Sequence, residues 1–163
     1  MEKSELCVGL FGTCDNVRWR DPFMQKYDEL AIQYFNPMVD NWHPGMVPLE
    51  AQHLAEDALI LFPILKDSYG LGSLSEVGFG PLRAMRQNRH RSFVVLIDDE
   101  VSDALKESDP VRAKDSKRGR ALVKGHIREI QDKNVYLVST LPEMLETSLA
   151  LYEIHTKLAA LHA

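Results

Sequence analysis

Apolar residues gather into four short unbroken runs along the chain: "LCVGLFG" (6–12), "ALILFPI" (58–64), "SFVVLID" (92–98) and "NVYLVS" (134–139). Continuous apolarity, in place of strict alternation, predicts strands of a parallel sheet that is covered on both faces. A weaker fifth strand is expected at "QYFNP" (33–37). Between the runs, apolar and polar positions recur at helical spacing over about 21–32, 48–57, 74–88, 110–131 and 141–161, the last with Pro142 in its first turn. Strands alternating with helices predict an α/β fold with helices on both faces of the sheet, joined by right-handed crossovers. The expected architecture is a flavodoxin-like (Rossmann-like) three-layer fold, with a five-stranded parallel sheet in the order 2-1-3-4-5. A single domain is expected over 1–163, and the polar stretch "DDEVSDALKESDP" (98–110) reads as a surface excursion.

In such sheets a ligand binds beyond the carboxyl ends of the strands, near the point where strand order reverses. Three segments are thereby singled out: "FGTCDNVRWRDP", "NPMVDNWHPG" and "KDSYGLGSLSE", following the first, second and third strands. In the first, Gly12 and Thr13 make a small-residue turn that lets a ligand approach the backbone, although no G-x-G-x-x-G fingerprint is present. Arg18, Trp19 and Arg20 suit a flat base and an anion. Asp21 and Pro22 need no ligand, since they fit an N-cap and a first helical position. In the second segment, Asp40 has ordinary turn chemistry, whereas Trp42 suits either a stacking lid or a core anchor. In the third, Ser73 and Glu76 of "SLSEVG" stand in the S-x-x-E relation of a capping box at a helix start.

Composition narrows the chemistry. The 163 residues are 45% hydrophobic and 26% charged, with a formal net charge of -5, which argues against general nucleic-acid binding and for a small-molecule partner. The basic clusters "RAMRQNRHR" (83–91) and "RAKDSKRGRALVKGHIR" (112–128) read as solvated faces, with a subunit interface as the alternative. Two cysteines, Cys7 and Cys14, form no dense disulfide framework, and a reducing cytoplasm is expected. No signal-peptide pattern and no membrane-length apolar run is visible, so no membrane association is expected. The Cys and His positions offer no C-x-x-C or H-x-x-x-H pair, and no metal is expected.

The stretch "DALILFPILKDSYGLGSLSEVGFGPLRAM" resembles the nucleoside 2-deoxyribosyltransferase family and its nucleotide N-glycosidase relatives. Glu76-Val77-Gly78-Phe79-Gly80 matches the family's E-[ILV]-G-[YF]-[AG], which carries a nucleophilic glutamate. "VGLFG" (8–12) and "YFNP" (34–37) resemble its first two strands, so the likeness covers roughly the first hundred residues. The resemblance implies a retaining displacement in which Glu76 attacks C1′ of a 2′-deoxynucleoside and another base, or water, resolves the glycosyl-enzyme. Two positions depart from the family. Gly70 stands where many members carry a base-gripping aspartate, and Leu10 where many carry a tyrosine. Base recognition is therefore expected from Glu50, Asp57, Tyr69 or Trp42, with Gly72 and Ser73 beside the nucleophile.

The expected function is transfer of deoxyribose between bases with no metal or organic cofactor. A 5′-monophosphate N-glycosidase that binds phosphate through Ser73 and an Arg of "RWR" is one alternative, and a nucleotide-binding sensor in which Glu76 only caps its helix is another. A homo-oligomer is expected through helix 141–161, where Leu145, Leu149 and Tyr152 form a stripe that could equally be core.

Overall fold

The computed structural model describes residues 6–14, 17–38, 43–77, 91–130 and 133–161. Five parallel strands form one sheet in the order β2-β1-β3-β4-β5. These are β1 (Cys7–Leu10), β2 (Gln33–Phe35), β3 (Leu59–Ile64), β4 (Ser92–Ile97) and β5 (Val135–Val138). The sheet is the flavodoxin-like arrangement expected from the apolar runs. The helices are α1 (Arg20–Glu29), α2 (Val47–Glu56), α3 (71–77, where the described segment ends), α4 (Asp103–Ser108), α5 (Pro110–Ile130) and α6 (Leu141–Leu161).

Side chains alternate across β3 and so build two cores. Leu59 and Leu61 join Val8, Leu10, Val94 and Leu96 beneath Phe23 and Tyr27 of α1 and Met144 and Leu151 of α6. Ile60, Phe62 and Ile64 turn the other way, toward Leu74 and Val77 of α3 and, at the margin, Leu54, Val123 and Ile127. Every residue of β3 and of β4 is buried, which is what their unbroken apolarity required. Leu145, Leu149 and Tyr152 pack against the first core. The stripe is partly buried on that core and leaves the rest of its surface outward.

Two helix starts differ from expectation. α1 begins at Arg20 behind Trp19, which makes no side-chain cap, so Asp21 and Pro22 lie inside the first turn, where a proline's missing N–H costs nothing. α3 begins at 71, with Leu74 N–H donating to Gly70 O at 2.8 Å. Ser73 is thus already helical, and Glu76 is one turn past the cap position assumed for it. α4 falls in the stretch read as a surface excursion. It buries none of its residues and so offered no apolar stripe to read. Among the described residues, no helix is long and apolar enough to cross a membrane.

Candidate active site

The turn after β1 is built from the backbone outward. Gly12 has φ +92°, and a Cβ there would lie 2.5 Å from Pro63 O, so only glycine fits. Thr13 donates to Pro63 O from both its N–H (2.9 Å) and its Oγ1 (3.0 Å), and Oγ1 accepts from Leu65 N–H at 3.1 Å. Turn and strand end are stitched together, and Thr13 is left 1% exposed. Its hydroxyl is committed to the chain and is not presented to a ligand.

The "RWR" triplet divides in the same way. Trp19 is buried edge-on against Phe23 and donates from Nε1 to Thr13 O at 2.9 Å. Arg20 is 3% exposed. Its Nε donates to Leu10 O (2.8 Å), its Nη1 to Thr13 O (2.9 Å) and its Nη2 to Phe11 O (3.4 Å). Carbonyls at a strand's end that lack a neighbouring strand need donors, and a guanidinium supplies several in one plane. The expected ligand roles of Trp19 and Arg20 are corrected accordingly. Arg18 alone points outward, exposed and paired with Asp21 at 2.7 Å.

Arg120 of α5 repeats the device one strand over. It donates to Ile64 O, Asp98 O, Leu65 O and Ser68 O at 2.6–3.1 Å and to Ser116 Oγ at 3.1 Å, with no exposure to solvent. Arg91, ahead of β4, donates to Asp57 O (2.6 Å) and Leu54 O (2.8 Å). Both belong to clusters read as solvated faces, and at these two positions that reading is overturned. A signal was present for Arg20 and Arg120. Arg20 shares a helical stripe with Phe23 and Tyr27, and Arg120 shares one with Ala113, Ser116, Val123 and Ile127.

What the crevice exposes is acidic. Glu76 and Cys14 are exposed, and Glu50, in the first turn of α2, is half-buried. These three sense one another. The carboxyl of Glu76 is raised above the ordinary glutamate value, first because protein flanks it despite its exposed surface and second because the charge of Glu50 acts on it. The Cys14 thiol is raised by burial, lowered by Arg20 and raised again by Glu76 and Glu50. Glu76 stands in the second turn of α3, beyond the first-turn position of a capping box. Burial and a neighbouring carboxylate make it more basic.

The remaining candidates separate. Gly72 is exposed with nothing within 4 Å of a Cβ built on it, and Ser73 beside it is half-buried, so the start of α3 is open to a ligand. Gly70 has φ +62°, and a Cβ there would meet Ile64 Cγ2 at 2.7 Å, so an aspartate at this position would be strained. Leu10 is fully buried in the first core. Tyr69 is turned away, donating from its hydroxyl to Leu105 O at 2.9 Å with Arg112 over its ring. Asp57 precedes β3 and so lies at the opposite edge of the sheet, about 20 Å away along a six-residue strand. Neither Tyr69 nor Asp57 serves as the base-recognising residue expected of it. Asp40, Trp42, Gly78, Phe79 and Gly80 lie outside the described residues. A polar cavity of about 460 Å³ opens at the ends of β4 and β5 between Asp98, Lys124, Arg128 and Ser139, and Glu76 does not line it.

No family model matches the chain, and no curated protein matches it. Among solved structures it is similar to a crystal structure of a TIR domain heterodimer, that of RPS4 and RRS1, with TM-score 0.55 and 8% identity over 93% of this chain and 98% of that one. A likeness at that identity concerns the fold alone, and it agrees with the sheet described above.

Proposed function

We propose that the chain is an enzyme that cleaves the N-glycosidic bond of 2′-deoxynucleosides and transfers deoxyribose to another base, with Glu76 as nucleophile. The observation that carries this reading is the placement of Glu76 and Glu50 together at the carboxyl edge of the central strands, each within electrostatic reach of the other. Two neighbouring carboxyls can divide the two tasks the displacement needs, Glu76 as nucleophile and Glu50 as proton donor. The Glu76 carboxylate attacks C1′ and the C1′–N bond breaks, its electron pair leaving with the base. Glu50 gives that base its proton. An incoming base then attacks C1′, returns a proton to Glu50 and releases the Glu76 carboxylate.

The structure weighs on the alternatives. A purely structural role for Glu76 as a helix cap loses its basis, because Gly70 accepts the first helical hydrogen bond. The monophosphate reading loses Arg20, whose donors are committed to carbonyls, and retains only Arg18 and Ser73. A cytoplasmic homo-oligomer belongs to the same proposal. Ile154, Leu158 and Leu161 are the large apolar residues that α6 leaves exposed. The test is product analysis with deoxynucleosides and their 5′-monophosphates, with and without an acceptor base. Base exchange between nucleosides is expected. Free base released only from monophosphates would replace transfer by hydrolysis, and no product from any donor would end the enzyme reading.

A further inference from the structure

At the other edge of the sheet, the start of β1 meets the end of α2. Cys7 opens the strand, while His53 and Asp57 sit one helical turn apart. Cys7 Sγ, a His53 ring nitrogen and an Asp57 carboxylate oxygen all lie within 4.8 Å of one another. His53 Nδ1 is 2.9 Å from Asp57 Oδ1, and the ring is stacked flat on Phe35, which fixes its plane. Asp57 is 5% exposed, yet its Oδ2 is buried without a hydrogen-bond partner among the described residues. Such an oxygen is costly unless something satisfies it. It faces Gly9, where a Cβ would come within 2.9 Å, so the missing side chain keeps this space open.

We propose that Cys7, His53 and Asp57 bind a zinc-class divalent cation through Sγ, Nδ1 and the Asp57 carboxylate, with water completing the tetrahedron. One sulfur, one imidazole nitrogen and one carboxylate suit a borderline-soft cation and not magnesium or calcium, which take oxygen ligands. Bonds of about 2.0–2.3 Å place tetrahedral ligand atoms roughly 3.3–3.7 Å apart, so on binding the His53–Asp57 pair, now at 2.9 Å, opens slightly while any wider separation in the cluster closes. The thiolate and the carboxylate balance the dication, and the adjacent Arg91 is offset by Glu56. As the cation binds, the Cys7 thiol gives up its proton to solvent. The side chain of His53 is 28% exposed, which gives the cation a way in. His53 and Asp57 stand four residues apart on one helix face, but Cys7 is more than forty residues away, so no single spacing motif announces the three together.

The full-length protein, stripped with chelator, is titrated with Co²⁺ and then with Zn²⁺. One equivalent of Co²⁺ should give a thiolate-to-cobalt charge-transfer band that Zn²⁺ abolishes, and a proton should appear in weak buffer for each ion bound. Zn²⁺ should raise the Tm of the wild type. Cys14→Ser should keep the band, whereas Cys7→Ser and His53→Gln, checked for folding by circular dichroism, should lose it. Absence of the band from folded wild-type protein, or a band that survives Cys7→Ser and vanishes in Cys14→Ser, would overturn the proposal.

Discussion

β1 carries a cysteine, carboxylates and an arginine at each end, and the two ends are built for different purposes. At the carboxyl end, Arg20 lies under the turn and spends most of its donors on main-chain carbonyls, with one reaching Cys14 Sγ, while Glu76 and Cys14 are exposed and Glu50 is half-buried. At the amino end, the carboxylate is the buried partner. Asp57 is raised by burial and lowered by His53, and the Cys7 thiol is pushed up to about 12 by burial and then by Asp57. A thiol so placed is inert as a nucleophile at neutral pH unless a cation displaces its proton. The same residue types thus yield an accessible acidic site at one edge and a closed cluster at the other. At both ends the backbone claims the arginine; what separates them is that the Asp57 carboxylate is buried whereas Glu76 is exposed.

The largest effect that can break this contrast is on turnover. Glu76→Gln should lower it roughly 10⁴-fold in single-turnover assays while moving stability by less than about 0.5 kcal/mol, because the side chain is exposed. A fully active variant would remove the site from this edge. Glu50→Gln should lower turnover about 10³-fold by removing the proton donor. The acid limb of the wild-type pH–rate profile should report the Glu76 carboxyl, which is raised from the ordinary glutamate value, so activity is present above that pKa and lost as pH falls through it.

Smaller effects sharpen the other end. Arg91→Met leaves Asp57 O and Leu54 O without donors and should cost about 3 kcal/mol in urea unfolding, with activity per folded molecule unchanged. Parallel loss of both would mean that the edges are not independent. Arg18→Ala should be the quietest change, under about 0.5 kcal/mol in stability and equal for nucleosides and monophosphates, since its pair with Asp21 is exposed. A selective loss of monophosphate binding would restore a phosphate role to that loop.

The sheet was legible because burial on both faces leaves a one-dimensional trace, an unbroken apolar run, and four such traces with a weaker fifth, interleaved with helical periods, leave few topologies open. The exposed acid was legible too, because Glu76 lies beside a glycine-rich turn at the edge where open sheets bind ligands. Arg20, Arg91 and Arg120 were not. Their partners are backbone carbonyls, which every residue possesses, so for Arg91 nothing in the neighbouring letters distinguishes a buried arginine from a solvated one, and for Arg20 and Arg120 the one trace was a place on the apolar stripe of a helix. The helix start at 71 was missed for a related reason. The first hydrogen bond is accepted by the main chain of Gly70, while the S-x-x-E pattern three residues on carried a different message.

Arg120 answers to four carbonyls and a serine hydroxyl, and four of those five acceptors cannot be altered by substitution. A residue whose counterparts cannot mutate has nothing to covary with. In descendants of this chain that keep the fold, position 120 should hold its arginine with no compensating change elsewhere, and methods that recover contacts from correlated substitutions should find no partner for one of its most fully hydrogen-bonded side chains. A lysine could not stand in, because one ammonium cannot present donors in the plane of a guanidinium.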